Sequence, residues 1–125
     1  MKELEHAINQ AIEEHELSHE WNDLITAEIK KIEQEDKNRK DCTDIPFITI
    51  DGEDAKDFDD AVFCSKDGEG FKLMVAIADV ASVVKVNSEI DKQAYKRGTS
   101  IYFPNTVIPM LHEDISNGIC SLLPN

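Results

Sequence analysis

Residues 47–65 read FITIDGEDAKDFDDAVFCS, and this stretch decides the fold because its character changes twice. The first four residues, 47–50, are aromatic or β-branched and predict a strand, as do residues 61–65 at the other end. Between them, residues 51–60 hold six acids and one lysine, a net charge of −5. A solvated charge run has no need of apolar strands on both sides, so this decamer is the candidate functional segment.

The segment after the acidic run predicts a β-hairpin. Residues 66–70 read KDGEG, a composition typical of a hairpin turn between two strands. The second strand, within residues 71–78, is nearly all apolar from Leu73 to Ala78. A continuous apolar run is typical of a strand buried on both faces, and we expect a central position for it.

Shorter elements complete the second part of the chain. Residues 88–91 resemble a capping box that opens a helix, and Gly98 stands where a glycine ends one. Two short extended segments, 101–103 and 107–108, are punctuated by prolines. Residues 115–123 begin a further helix or strand.

The first part of the chain predicts two helices. Residues 1–44 contain no glycine and no proline. Apolar residues recur at helical spacing from Leu4 to Ile12 and again from Trp21 to Ile32. Either Ser18 or Asn22 is suited to cap the second helix.

These patterns together predict an α+β fold. We expect a helical hairpin followed by part of a mixed or antiparallel sheet with one or two helices. The mixed-charge residues 30–44 have little apolar content and predict a fraying helix end and a linker. The boundary therefore falls between a helical segment with its linker, residues 1–45, and a second region, residues 46–125.

The composition excludes several classes of protein. The 125 residues carry 13 Lys and Arg against 26 Asp and Glu, a net charge of −13. This balance argues against a free-standing nucleic-acid binder and against a partner membrane with an anionic surface. No apolar run approaches the roughly 18 residues of a membrane span, and the first residues do not begin a signal peptide. Three separated cysteines without a CxxC pair favour a reducing, cytoplasmic compartment.

The spacing of the acids indicates a cation site. In an extended chain Asp57 and Asp59 share one face and Asp60 lies on the other, while Asp51 ends the incoming strand. Two carboxylates about 5 Å apart repel by about 3 kcal/mol at an effective dielectric constant of 20. Protonation or a bound cation relieves such repulsion, and Mg²⁺ prefers carboxylate oxygens together with water and phosphate. The cluster therefore favours metal-assisted phosphoryl transfer.

Two other interpretations of the cluster stay open. It is an exposed acidic loop, the usual role of acidic runs, or Asp51 is a phosphatase-type nucleophile placed after a strand. No D-x-D-x-T pattern supports the phosphatase. A calcium EF-hand is excluded, because its sixth position would be Lys56 instead of glycine and its twelfth Val62 instead of glutamate.

Residues 49–62, TIDGEDAKDFDDAV, closely resemble the active-site motif of the ribonuclease II/ribonuclease R family, and most closely the ribonuclease R form. Further blocks agree in the same order over roughly 80 residues: 75–80, 97–104, 107–111 and 115–122. The resemblance implies that residues 46–125 are the beginning of the family's catalytic domain. It also implies that the helical residues before it are the segment that precedes this domain.

The function that the resemblance implies is processive 3′→5′ hydrolysis of RNA to nucleoside 5′-monophosphates by a two-metal mechanism with Mg²⁺, or with Mn²⁺. The family's four aspartates correspond to Asp51, Asp57, Asp59 and Asp60, which would all be metal ligands. Asp59 and Asp60 would also act in catalysis, Asp59 being the more critical. Tyr102 corresponds to an aromatic residue that stacks on RNA bases.

Two positions depart from the family pattern, His112 and Leu123, where proline and asparagine are common. Both lie outside the acidic motif. We expect His112 to be an exposed loop histidine and Trp21 to be a core residue of the helical hairpin.

The family's further RNA-binding domains, and the residues that complete its active site, do not occur in these 125 residues. We therefore expect a piece of such an enzyme that is inactive alone and binds RNA weakly, if at all. An unpaired sheet edge favours self-association of this piece. The alternative of another class is a non-catalytic acidic interaction module.

Overall fold

A computed structural model of the protein describes residues 2–33 and 38–123. The predicted α+β class is confirmed. The helices and strands, in chain order, are α1 (Lys2–Glu14), α2 (Asp23–Ile29), β1 (Asp60–Asp67), β2 (Gly70–Ile77), α3 (Val80–Val83), α4 (Glu89–Arg97), β3 (Ile101–Phe103), β4 (Thr106–Ile108) and a π-helical segment (Asp114–Ile119). No described helix is long and apolar enough to cross a membrane.

The helix ends follow the local sequence. The side chain of Asn22 accepts a hydrogen bond from the Ile25 amide at 2.9 Å, so Asn22 is the N-cap of α2. Ser88 caps α4 in the same way through the Asp91 amide. Gly98 ends α4 with a φ of 74°, a backbone conformation that glycine adopts without a Cβ clash.

The strands form two separate antiparallel hairpins in the described part of the chain. β1 pairs with β2 from Asp60 opposite Ile77 to Asp67 opposite Gly70, which confirms the predicted hairpin. β3 pairs with β4, with Tyr102 opposite Val107.

Two strand predictions were wrong. Residues 47–50 contribute a single bridge, in which Ile48 and Val62 exchange two backbone hydrogen bonds of 2.8 and 3.0 Å, and no continuous strand. The apolar β2 is not central, because it pairs with β1 alone among the described residues. Its side chains at Leu73 and Ile77 are 63% and 66% exposed, since no described element packs on that face.

The main core joins α2 to the second part of the chain. Its buried members are Ile25, Ile29, Val83, Ile90, Ile115 and Cys120. Both oxygens of the Glu28 carboxylate accept hydrogen bonds from the first amides of α4, at Glu89 (3.0 Å) and Ile90 (3.1 Å). This carboxylate satisfies two amides that a helix N-terminus otherwise leaves unpaired, and it fixes α2 against α4.

His112 is not the exposed loop histidine that the sequence predicts. Its side chain is only 19% exposed, and its ring centre lies 5.3 Å from that of Trp21. Trp21 is partly buried, but it packs against the main core, which joins α2 to the second part of the chain, and not within a core of the helical hairpin as the sequence predicts. Trp21 and His112 therefore connect the linker between α1 and α2 to the segment after β4.

The predicted linker, residues 30–44, is described only in part, because residues 34–37 lie outside the described residues. After them, Arg39 forms an ion pair of 2.8 Å with Asp79, the N-cap of α3. The segment predicted as helix or strand after residue 115 is helical, within Asp114–Ile119.

Candidate active site

Three hydrogen bonds join the backbone of the acidic segment before β1 to residues 121–122, which are distant in sequence. The hydroxyl of Ser121 donates a hydrogen bond to the Lys56 carbonyl at 2.7 Å and accepts one from the Phe58 amide at 3.2 Å. The Leu122 amide donates to the Phe58 carbonyl at 2.9 Å. Asp57 therefore lies between two residues whose backbones are bonded to residues 121–122.

The next two aspartates lie where the hairpin begins. The Ala78 amide, just after β2, donates to the Asp59 carbonyl at 2.8 Å. Asp60 is the first residue of β1 and pairs with Ile77. The β1–β2 hairpin therefore holds the end of the acidic segment in place.

An open cleft of about 600 Å³ lies beside this segment. Asp57 and Asp59 line it, and so does Tyr102 from β3, whose side chain is 68% exposed. Val107, the partner of Tyr102 across the β3–β4 hairpin, contributes an apolar surface to the same cleft. The fold therefore brings two predicted carboxylates and the predicted stacking residue to one cavity.

The other two predicted carboxylates, Asp51 and Asp60, do not line this cleft. Both are exposed, and both lie close enough to Asp59 to influence its charge. Partial burial raises the pKa of the Asp59 carboxyl above its ordinary value of 3.8, and the neighbouring charges of Asp57, Asp60 and Asp51 raise it further. All four carboxylates therefore share one electrostatic environment around Asp59.

The donor chemistry of this site fits a hard divalent cation. Four carboxylates supply oxygen ligands of the type that Mg²⁺ and Mn²⁺ prefer, and a cation would relieve the repulsion at Asp59. Within residues 2–33 and 38–123, no three His, Cys, Asp or Glu side chains are arranged to hold one ion. The carboxylates therefore fit a divalent cation by their charge and their oxygen donors, and not by a preformed arrangement of ligands.

Several residues of the cleft were not predicted as site residues. The π-helical segment contributes Ser116 and Asn117 to the wall, and the Ser116 hydroxyl lies 3.0 Å from the Asn117 side-chain oxygen. Ser121, which lies outside the cleft and bonds the backbone of the acidic segment, was also not predicted as a site residue. The family resemblance includes residues 115–122, which contain all three residues. No charge pattern, however, distinguishes these polar side chains from ordinary residues at a helix end.

Comparisons with known proteins agree on one family. The family model described as RNB domain matches residues 39–125. Ribonuclease R of Acidithiobacillus ferrooxidans is 50% identical over 120 residues, which cover 92% of this chain and 27% of that protein. Ribonuclease R of Escherichia coli strain K12 is 46% identical over 124 residues, which cover 94% of this chain and 15% of that protein.

A solved structure has the same fold over the matched region. Mycoplasma genitalium RNase R in complex with double-stranded RNA superposes with a TM-score of 0.87 and 39% sequence identity. The match covers 94% of this chain and 22% of that chain. The chain therefore spans less than a third of the length of each of these relatives.

Proposed function

The chain belongs to the RNB-domain family, and from this we propose that it carries the acidic part of the active site of a Mg²⁺-dependent 3′→5′ exoribonuclease. The observation that carries the proposal is the shared cleft, in which Asp57, Asp59 and Tyr102 line one cavity. Carboxylates beside an exposed aromatic ring suit a phosphodiester next to a nucleobase. The ribonuclease R relatives support RNA as the substrate.

In this proposal Asp51, Asp57, Asp59 and Asp60 hold Mg²⁺ or Mn²⁺. Bound there, the ion supplies a Lewis acid that neutralises charge on a phosphate and lowers the pKa of a bound water. Asp60 is fixed by its place at the start of β1, whereas Asp57 is fixed by the backbone bonds on either side of it.

Two side chains have separate roles toward the RNA. Asp59 is the carboxylate on which the other three charges converge, and we assign it the most critical role in catalysis. The exposed Tyr102 ring stacks on a base near the 3′ end, which suits any sequence because every base has a π-face. Products are nucleoside 5′-monophosphates, released one at a time.

We propose further that the chain by itself does not degrade RNA. Among the residues that line the cleft, Lys56 is the one basic side chain, against four acids. With a net charge of −13, the whole chain repels a polyanion. Cations that bind the RNA backbone therefore have to come from elsewhere in a complete enzyme.

A chimera tests the activity. The present chain replaces the matched 124 residues of Escherichia coli ribonuclease R, and the substrate is a 5′-labelled single-stranded RNA with Mg²⁺. We expect stepwise shortening from the 3′ end and loss of about 100-fold or more of the rate with Asp59→Asn. The matched control is Glu69→Gln, an acid in the turn between β1 and β2 and away from the cleft.

Two results would contradict the proposal. Full activity of the Asp59→Asn chimera would remove Asp59 from catalysis. Degradation of RNA by the isolated wild-type chain, abolished by Asp59→Asn, would show that the chain is active alone.

A further inference from the structure

The side chain of Ser121 bonds the backbone on both sides of Asp57. Its hydroxyl donates to the Lys56 carbonyl at 2.7 Å and accepts from the Phe58 amide at 3.2 Å. The contact joins residues 65 positions apart in sequence. One hydroxyl thus satisfies an acceptor and a donor that flank a single aspartate.

This contact matters because residues 51–59 form no helix and no strand. A segment without regular structure keeps several backbone conformations unless tertiary contacts select one. The Phe58 carbonyl is also bonded, to the Leu122 amide at 2.9 Å. Residues 121–122 therefore hold the backbone on either side of Asp57 by hydrogen bonds.

The position of Asp57 beside the cleft follows from this backbone. Its two neighbours are held by residues 121–122, and Asp57 lines the cleft. Ser121 does not line the cleft. It therefore acts on the site through the backbone of the acidic segment.

We propose that Ser121 is a positioning residue, which fixes the Asp57 carboxylate for cation binding by bonding both adjacent peptide groups. The cation part of this inference rests on the proposed function, whereas the backbone part rests on the geometry alone. Removing groups that orient the ligands of a metal typically weakens metal affinity by about 10–100-fold.

Four variants of the chain test the inference. Ser121→Ala removes the hydroxyl, and Ser121→Cys keeps the size of the side chain but replaces the hydroxyl with a weak hydrogen-bonding thiol. Ser121→Thr keeps the hydroxyl. The matched control is Ser88→Ala, which removes a hydroxyl bonded to the Asp91 amide at the start of α4, away from the acidic segment.

The first measurement is amide hydrogen exchange by NMR on the metal-free chain. We expect the Phe58 amide to exchange about fivefold faster or more in Ser121→Ala and Ser121→Cys, because its acceptor is lost or weakened. In Ser121→Thr and Ser88→Ala the Phe58 amide should exchange as in wild type. Unchanged exchange at Phe58 in Ser121→Ala would overturn the backbone part of the inference.

The second measurement is the affinity for Mn²⁺, followed by electron paramagnetic resonance of the free ion. We expect the affinity for Mn²⁺ to fall by about tenfold or more in Ser121→Ala and Ser121→Cys. Ser121→Thr and Ser88→Ala should bind Mn²⁺ with wild-type affinity. A general loss of stability does not produce this pattern, because Ser88→Ala also removes a helix cap.

The outcomes separate the two proposals. Equal Mn²⁺ affinity of wild type and Ser121→Ala, or equal weakening in Ser121→Thr and Ser121→Ala, would overturn the positioning role and leave the cation site standing. No Mn²⁺ binding by wild type would overturn the cation part of the inference, and the exchange of the Phe58 amide would then decide the backbone part.

Discussion

The guanidinium carbon of Arg97 lies 3.8 Å from the centre of the Trp21 ring, so the last residue of α4 is stacked on the linker between α1 and α2. The same guanidinium donates hydrogen bonds to the Pro109 carbonyl at 2.8 Å and the Glu20 carbonyl at 3.0 Å. Burial lowers the pKa of Arg97, although an arginine stays charged at neutral pH. One side chain therefore ties three segments together.

Arg97→Ala should lower the free energy of unfolding by about 2–3 kcal/mol, since it removes a cation–π contact and two charge-assisted hydrogen bonds. Arg97→Lys should recover only part of the loss, because lysine lacks the planar fork that reaches two carbonyls. Urea unfolding followed by the fluorescence of Trp21, the single tryptophan, measures both. The neighbouring exposed Lys96→Ala is the control, expected within about 0.5 kcal/mol of wild type. Equal stability of wild type and Arg97→Ala would show that Arg97 does not hold these three segments together.

Glu28→Ala should destabilise the protein by about 1–2 kcal/mol. The change leaves the Glu89 and Ile90 amides without their carboxylate acceptor and removes a favourable charge at the start of α4. Thermal and urea unfolding measure the loss, and Glu13→Ala on an exposed face of α1 is the control. Should the two variants be equally stable, the carboxylate does not hold α2 against α4.

The raised pKa of Asp59 predicts how stability depends on pH. The folded chain binds the Asp59 proton more tightly than the unfolded chain does. The stability gained from this proton is therefore complete below the ordinary pKa of 3.8 and is lost as the pH rises through the raised pKa of the folded chain. Asp59→Asn should therefore be more stable than wild type at pH 7, by no more than about 1 kcal/mol because solvent screens an exposed charge.

The difference between Asp59→Asn and wild type should shrink as the pH falls through the raised pKa of the folded chain, and it should be smallest below 3.8, where the carboxyl is protonated in the folded and the unfolded chain alike. Urea unfolding at several pH values in the absence of divalent ions measures it. Glu69→Gln, in the turn after β1, controls for removal of one negative charge. A variant that is less stable than wild type at pH 7 would show that the four carboxylates do not repel in the folded chain.

The exposed face of β2 predicts self-association. Phe71, Leu73, Val75 and Ile77 are each more than half exposed and share one face of the strand. Leu73→Lys should reduce association by about tenfold or more, because it places a charge in the centre of the apolar face. Sedimentation velocity at several concentrations measures it, with Lys72→Gln on the opposite face as the control. A wild-type monomer at all concentrations would contradict the prediction.

The local sequence was sufficient for features that depend on neighbouring residues. The β1–β2 hairpin, the cap at Ser88 and the helix end at Gly98 were predicted, and the choice of cap for α2 was narrowed to Ser18 or Asn22, because turn and cap chemistry acts over a few residues. The density of charge in residues 51–60 likewise identified the candidate site without any knowledge of the fold.

Features that depend on distant partners could not be predicted in this way. The apolar composition of β2 is typical of a buried strand, yet burial requires a partner on each face, and the described residues supply none over Leu73 or Ile77. For the same reason residues 47–50 have strand-like composition but pair only through Ile48.

The sequence by itself determined the local elements, the family resemblance and the acidic composition of the candidate site, because each is written in residues close together in the chain. Only the tertiary structure decided that Asp57, Asp59 and Tyr102 line one cleft, and that Ser121 bonds both peptide groups beside Asp57. Those contacts join residues separated by more than 40 positions. Their geometry comes from the packing of the elements between them, and local periodicity contains no information about it.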